Sequence, residues 1–271
     1  MAGRHDTILP ITETLRCRTP NGLPLYRFRL LGDCPGLQHG IFTRLGGVSS
    51  APFATLNVSY DTQDDAGKVR ENLRRVRAAT GNASLVYARQ VHGGTLLAIH
   101  ERVPLDPEVP YPLEGVDGFV SSVPGLTMMV KVADCQGVLL FDPRRRVAAA
   151  VHAGWRGSVQ NVVGKAVRLM AADFQCRPAD VIAGISPSLG PCCAEFRNWR
   201  HELPEHFLPY QIRPTYFDFW AISRAQLMEA GVPGENIEIA GLCTRCHPEV
   251  FYSYRGEGRT GRSAVTIGVE E

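Results

Sequence analysis

Gly137-Val-Leu-Leu-Phe-Asp142-Pro-Arg-Arg-Arg146-Val-Ala-Ala-Ala-Val-His152-Ala-Gly-Trp-Arg156-Gly157 holds two apolar runs, 137–142 and 147–152, around Asp142-Pro143. Short apolar runs bounded by turn signals read as buried strands, and Asp-Pro followed by charge reads as their hairpin turn. The three arginines read as solvated turn residues. Past Gly157 the period changes. Val159, Val162, Val163, Ala166, Val167, Met170 and Phe174 form one stripe at helical spacing, so a helix is predicted just after Arg156-Gly157. Its first N–H groups would point at whatever sits beside Gly154 to Gly157, a place that favours an anion.

Working outward, strands are predicted at 85–90, 95–99, 117–122 and 126–132 on one side, and at 181–185, 236–242, 250–254 and 263–268 on the other. Helices are predicted at 67–80, where Val69, Leu73 and Val76 share a face before Gly81-Asn82, and at 219–230, which stops at Gly231 ahead of Pro233. Residues 1–38 read as a lead-in with one strand, Leu25 to Leu31. A short strand at His39 breaks into the Gly46-Gly47 turn, and 51–66 reads as a polar loop. The Pro-rich stretch 104–112 reads as a surface loop. Strands outnumber helices and short turns join many of them. That pattern favours an α+β fold with mixed sheets and helices on the outer faces over a doubly wound parallel sheet. With no repeat or linker, 1–271 reads as a single domain.

The composition narrows the function. Apolar residues at 44% supply a full core, and charged residues at 21% with a net charge of +2 give no footprint of a nucleic-acid or membrane-surface binder. No apolar run approaches the ~20 residues of a membrane span, and no signal-like segment opens the chain. A cytoplasmic setting is therefore expected, in which the eight cysteines are thiols or ligands rather than a disulfide framework.

Three of the strings at strand ends carry soft-metal donors: His92 in Gln90-Val-His, Cys135 in Ala-Asp134-Cys, and His152 in the quoted stretch. Each alone has an ordinary reading, as a core or surface histidine or a small buried thiol. Together they make three zinc donors, and three protein ligands with an open fourth position mark a catalytic zinc. Copper can compete for such a set. Arg44 and Arg156 lie in glycine-rich turns that let a phosphate or carboxylate approach closely. Cys243-Thr-Arg-Cys246-His247 matches the haem-attachment pattern, which is rejected for want of an export signal. As half of a structural zinc site it needs a second pair, which only Cys192-Cys193 could supply. That vicinal pair reads more simply as a turn packed near the site.

Several strings, taken together, resemble the laccase-domain, or multicopper polyphenol oxidase, family, whose members are also named purine nucleoside phosphorylases and peptidoglycan editing factors. They are His39-Gly-Ile-Phe-Thr-Arg44, Gln90-Val-His92-Gly93, Ala133-Asp-Cys135, His152-Ala-Gly-Trp-Arg156-Gly157, Gly190-Pro-Cys-Cys193, Leu242-Cys-Thr244 and Tyr254-Arg255…Thr260-Gly-Arg262. The resemblance runs from about 39 to 268. It implies a four-layer α-β-β-α fold related to cysteine hydrolases, and a zinc held by His92, Cys135 and His152. It also implies phosphorolysis of adenosine, inosine, guanosine and methylthioadenosine, with hydrolytic deamination of adenosine. Val132, Gly137 and Ser186 depart from the family's usual residues; these changes spare the donors and bear on pocket shape.

The expected site therefore has Asp134, Cys135 and Arg156 in catalysis, Arg44, Asn57, Gln90, Cys193 and Thr244 on a purine nucleoside and phosphate, and His92, Cys135 and His152 on the metal. Asp134 is the nearby acid for proton transfer, since neither His92-Gly-Gly nor His152-Ala-Gly carries the glutamate of known zinc deaminases. One rival is a cysteine hydrolase with Cys135 as nucleophile and a histidine base, editing peptidoglycan precursors. A copper-dependent polyphenol oxidase is disfavoured, because eight histidines with no His-x-His pair cannot build a three-copper cluster. A binding protein without turnover is the third.

Overall fold

A computed structural model describes residues 12–82, 84–102 and 113–271; the expected surface loop at 104–112 and the first eleven residues of the lead-in lie outside them. The chain opens with β1 (Leu15–Arg18), β2 (Leu25–Phe28), α1 (Arg29–Gly32), β3 (Leu37–Phe42), α2 (Ala66–Thr80) and β4 (Ser84–Val86). The middle holds β5 (Leu96–Ile99), β6 (Gly118–Ser121), β7 (Leu126–Val132), β8 (Gln136–Asp142), β9 (Val147–Ala153), α3 (Trp155–Val159), α4 (Val162–Phe174) and β10 (Ile182–Ile185). It ends with α5 (Trp199–Glu202), β11 (Gln211–Arg213), β12 (Tyr216–Phe217), α6 (Phe219–Glu229), β13 (Ile237–Ile239), α7 (Tyr254–Glu257) and β14 (Ser263–Val269).

The longer strands form two six-stranded mixed sheets, ordered β1-β2-β3-β14-β7-β4 and β13-β10-β8-β9-β6-β5. The pairs β4–β7, β5–β6 and β10–β13 are parallel. Between the sheets one apolar cluster joins Tyr26, Ile41, Met128, Val130 and Val265 from the first to Phe119, Leu139, Phe141 and Ala150 from the second. On the far side of the first sheet, Val69, Leu73 and Val76 of α2 pack on Phe42, Met129 and Ala264. On the far side of the second, Val163, Ala166, Val167 and Met170 of α4 pack on Val138, Leu140 and Val151. Every residue of β7, β8, β9 and β14 is buried, which explains why their sequences run apolar without alternation.

The quoted hairpin forms as read. β8 and β9 pair antiparallel with Gly137 opposite His152 and Gln136 opposite Ala153. Asp142 closes the turn by accepting from the N–H groups of Arg144 and Arg145 at 2.9 and 3.1 Å. Cys135 and His152 therefore leave the same end of one strand pair.

Several predicted elements differ; the strand expected at 236–242 forms only at Ile237–Ile239, and the lead-in holds β1 as well as the expected strand. The helix expected after Gly157 begins at Trp155 and is broken in two, because Asn161 turns left-handed (φ 53°) and caps α4 by accepting from Gly164 N. The strand Leu25 to Leu31 stops at Phe28, where the Leu30 N–H goes to the Glu238 carboxylate instead of a ladder. The strand 85–90 ends at Val86, and the Gln90 side chain ties the remainder to β7. The strand expected at 250–254 does not form. The N–H groups of Val250 and Phe251 bond back to His247 O, and Ser253 caps α7 by accepting from Gly256 N. Donors spent on a local turn are lost to a sheet.

Candidate metal and active site

Asp117, at the mouth of β6, organises the site. Its carboxylate is fully buried and accepts from three directions: His92 N at 2.9 Å, Gly93 N at 2.7 Å and the His152 ring Nδ1 at 2.9 Å. Its own carbonyl accepts from His152 N at 2.7 Å. Burial by itself would raise this carboxyl, but the His152 ring and the two backbone N–H groups hold it below its usual range. His92 sits at φ 58°, a left-handed turn that the two N–H bonds to Asp117 hold in place. The segment before it is fastened too: Gln90 donates to Lys131 O at 3.0 Å and accepts from Lys131 N at 2.8 Å.

These constraints bring the expected donors together. One ligand-type atom each from His92, Cys135 and His152 lies within 4.8 Å of the others. The two imidazoles meet edge to face, centroids 4.8 Å apart. Gly154 forms the floor. A Cβ there would stand 3.1 Å from Cys135 Sγ and 3.2 Å from His92 Cδ2, so glycine leaves the room the donors share. Two imidazoles and a thiol, one ring oriented by a buried carboxylate, suit a zinc-like cation.

The electrostatics agree with that donor chemistry. Burial by itself would raise the Cys135 thiol, but His152 and His92 bring it down to about 6. Burial by itself would lower His152, but Cys135 and Asp117 raise it to about 9. The two shifts act on each other and both favour the thiolate–imidazolium form.

Other expected residues take different positions. Asp134, left-handed at φ 84°, has its carboxylate occupied by the Thr244 hydroxyl at 2.7 Å, the Ser253 hydroxyl at 2.7 Å and Arg255 N. It works as a clamp on the loops that carry those residues, and Thr244 enters the site through it. Asn57 is fully buried, donating to Ser59 O, Thr62 Oγ1 and Asp64 Oδ2 and accepting from the N–H groups of Ser59 and Arg262. No group remains on it for a substrate. Arg44 donates to the carbonyls of Ala54, Pro248 and Phe251 and pairs with Glu257 at 3.0 Å, which makes it a post between loops. Arg156 is exposed and lies over the Trp155 ring. The helix behind it, α3, is only five residues long, so the N-terminal field expected there is weaker than a long helix would give. Cys193 belongs to a separate group of thiols.

Sequence reading missed two residues with a place here. Asp117 opens the apolar run Gly118 to Ser121, and a lone acid at the mouth of a buried strand was the available signal. Arg262 is largely buried; desolvation lowers its pKa while Cys135 and Asp134 oppose that, so its guanidinium lies within electrostatic reach of both.

Comparison with known proteins gives a consistent picture. Residues 38–270 match the family model described as multi-copper polyphenol oxidoreductase laccase. A purine nucleoside phosphorylase of Deinococcus radiodurans is 35% identical over 263 residues, 93% of this chain and 95% of that protein. Purine nucleoside phosphorylase YlmD of Geobacillus stearothermophilus is 32% identical over 250 residues, 87% of this chain and 91% of that one. The crystal structure of the hypothetical protein YfiH of Bacillus licheniformis superposes with a TM-score of 0.83 at 26% identity, covering 96% of this chain and all of the other.

Proposed function

The chain belongs to the multi-copper polyphenol oxidoreductase laccase family, and within it we propose a zinc-dependent purine nucleoside enzyme. It cleaves adenosine, inosine, guanosine and methylthioadenosine with phosphate and deaminates adenosine hydrolytically. The observation that carries the reading is the convergence of His92, Cys135 and His152 around Gly154 with Asp117 behind them. Relatives named as purine nucleoside phosphorylases support the substrate class. The fold is read as four layers, α2, two sheets and α4, related to cysteine hydrolases, with 1–271 acting as one domain. A cytoplasmic location suits the reduced thiols.

His92, Cys135 and His152 would hold the zinc. Bound there, it would supply Lewis-acid polarisation of a substrate oxygen. In phosphorolysis a phosphate oxygen bonds to the ribose C1′ as the C1′–N9 bond breaks; the electron pair leaves on N9 and the base takes a proton. Arg156, exposed beside the Gly154 floor, offers phosphate a bidentate donor. Arg262 adds positive charge near Cys135. Asp117 fixes which His152 nitrogen faces the site. Asp134 positions Thr244 and the Arg255 loop instead of shuttling protons. Val91, 57% exposed on the loop bearing His92, and Tyr254, 60% exposed at the start of α7, offer apolar faces for a flat base.

One observation favours a second reading. Cys135, His152 and Asp117 follow the order nucleophile, base and orienting acid, and the thiol is already lowered. In that reading the chain is a cysteine hydrolase acting on peptidoglycan precursors. Copper-dependent polyphenol oxidation finds less support: only two donor groups of three or more gather among the described residues, and one of them is all thiol.

A single experiment separates the readings. Protein purified without added metal is assayed for phosphate-dependent release of purine and ribose 1-phosphate, and for ammonia from adenosine, before and after chelation. Loss on chelation with recovery on zinc addition is expected. Purine-nucleoside inactivity of the zinc-loaded chain would sink the first reading. Hydrolysis of a peptidoglycan precursor by the same protein that survives chelation but not thiol alkylation, without purine-nucleoside turnover, would establish the second.

A further inference from the structure

Away from the His92–Cys135–His152 site, the vicinal pair and the Cys-x-x-Cys of the sequence meet. Cys192, Cys193, Cys243 and Cys246 are all free thiols, and their sulfurs lie within 4.8 Å of one another. Cys246 Sγ stands 3.7 Å from Cys192 Sγ and 3.6 Å from Cys193 Sγ. With zinc–sulfur bonds of about 2.3 Å, two corners of a tetrahedron stand about 3.8 Å apart. A disulfide would need about 2.05 Å. The two separations at Cys246 match those of thiolates around one cation.

The backbone supports the same conclusion. A single 3-10 turn, Thr244–Cys246, places both sulfurs of the Cys-x-x-Cys on one side. The Cys243 sulfur accepts from Gly190 N at 3.3 Å, and the Cys246 N–H closes the turn on Cys243 O at 3.2 Å. N–H groups aimed at sulfur favour the thiolate, the form that binds metal. Arg213 donates to Cys192 O at 2.9 Å, putting positive charge beside a cluster that would carry excess negative charge when loaded.

We propose that Cys192, Cys193, Cys243 and Cys246 form a second metal site, a closed tetrathiolate for one soft divalent cation of the zinc class. Four protein sulfurs leave no open position, so the site is structural. Its consequence reaches the first site through Asp134. Leu189 N donates to Asp134 O at 2.8 Å, the Thr244 hydroxyl donates to the Asp134 carboxylate, and Ser188 pairs with Cys243. The cation would staple segments 188–193 and 243–246 together on the residue that precedes Cys135. Because the thiols release protons and the loops are ordered on binding, the binding energy becomes folding energy.

The test uses the full chain with His152→Ala, which removes a donor of the first site. Metal analysis of protein purified under reductant is expected to give about one zinc per chain. Adding Cys192→Ser and Cys246→Ser should bring that close to zero. Cobalt(II) loaded into the His152→Ala protein should show the intense visible bands and sulfur charge-transfer absorption of tetrahedral tetrathiolate, absent from the triple variant. If the triple variant does not fold, Cys192→Ser alone in the same background should weaken the sulfur charge-transfer absorption. The proposal is overturned if the His152→Ala protein carries no metal and gives a weak, water-like cobalt spectrum. It is equally overturned if losing Cys192 and Cys246 leaves metal content unchanged. Failure of the first site's zinc reading appears separately, as equal zinc in the wild-type and His152→Ala proteins.

Discussion

The His92–Cys135–His152 site and the Cys192–Cys193–Cys243–Cys246 cluster are joined through one residue, Asp134, which precedes Cys135 and is bonded to Leu189 and Thr244, and they are built on different principles. The first takes donors from strand ends and the loop they support, backed by the buried Asp117 carboxylate and floored by a glycine. It has two imidazoles and one thiol. The second takes donors from two turns, all sulfur, with two of them exposed. A rigid, incomplete donor set suits turnover, and a complete set on loops suits fastening. The difference teaches that metal-type residues alone do not mark an active site; what stands behind the donors, and what is left open, does.

The largest effect should separate the two clusters outright. Cys135→Ala is expected to lower kcat/KM for inosine phosphorolysis at least ~10³-fold, the scale of removing a central catalytic group, with the melting temperature little changed. Cys192→Ser/Cys246→Ser should do the reverse, lowering the melting temperature while a measurable share of kcat survives. Paired steady-state assays and thermal melts decide it. Equal loss of activity in both proteins would abolish the distinction.

Asp117→Asn should come next. The carboxylate orients His152 and fixes the His92 turn, and loss of such a partner typically costs ~10–100-fold in metal affinity or activity. Zinc affinity by competition with a chromophoric chelator should fall together with kcat, and the second cluster should keep its metal. Full affinity in the Asp117→Asn protein would mean that the backbone alone sets the donors.

Two glycines allow a finer comparison. In Gly154→Ala the new methyl meets Cys135 Sγ at 3.1 Å and His92 Cδ2 at 3.2 Å. The backbone, at φ −80°, tolerates alanine. The donors must yield by tenths of an ångström, so activity should drop about tenfold with stability nearly intact. In Gly190→Ala the methyl meets Trp220 Cη2 at 2.8 Å and Cys243 Cβ at 3.0 Å. That overpacking should cost about 1–3 kcal/mol in chemical denaturation and affect activity less. An opposite assignment of the two defects would reverse the roles given to the clusters.

Much of this could be read from residues alone, and the parts that could not share a cause. The β8–β9 hairpin, α2 and α4 were legible because apolar period and turn chemistry act locally at 137–174 and 66–81. The donors His92, Cys135 and His152 were legible because few residue types bind soft metals. Asp117 was hidden because its role comes from meeting His92 and His152 across the sheet, a contact that no sequence window contains. The missing strand at 250–254 has the same origin. Its β-rich composition lost to His247 O and to the Ser253 cap, both set by the turn before it. Arg44 is expected at the site from its glycine-rich turn, yet long-range partners such as Pro248 O claim its donors, as Arg262 N claims the Asn57 side-chain oxygen.

The smallest effect in rate gives the sharpest contrast between the clusters. In chelated, reduced protein, Cys135 should titrate toward thiolate with a midpoint near 6 instead of 9, since His152 and His92 outweigh burial. Above that midpoint the reactive form is present, and below it the thiol dominates. A thiolate of lowered basicity is also a weaker nucleophile, with a Brønsted slope of about 0.4–0.5, so the net gain over an ordinary thiol at pH 7 is only about severalfold. Cys193 moves the other way, raised to about 11 by burial and by Cys246 and Cys243, and Cys192 is raised by burial, Cys243 and Cys246. Iodoacetamide labelling followed by peptide mass spectrometry should therefore mark Cys135 first across pH 6–8, although Cys192 is the more exposed of the two. Asp117→Asn should shift the Cys135 midpoint upward, because the His152 imidazolium loses the carboxylate that helps raise it to about 9. Zinc should suppress labelling at both clusters. Cys192 labelling ahead of Cys135 in the metal-free chain, or a Cys135 midpoint near 9, would show that its two histidines do not act on the thiol as their geometry requires.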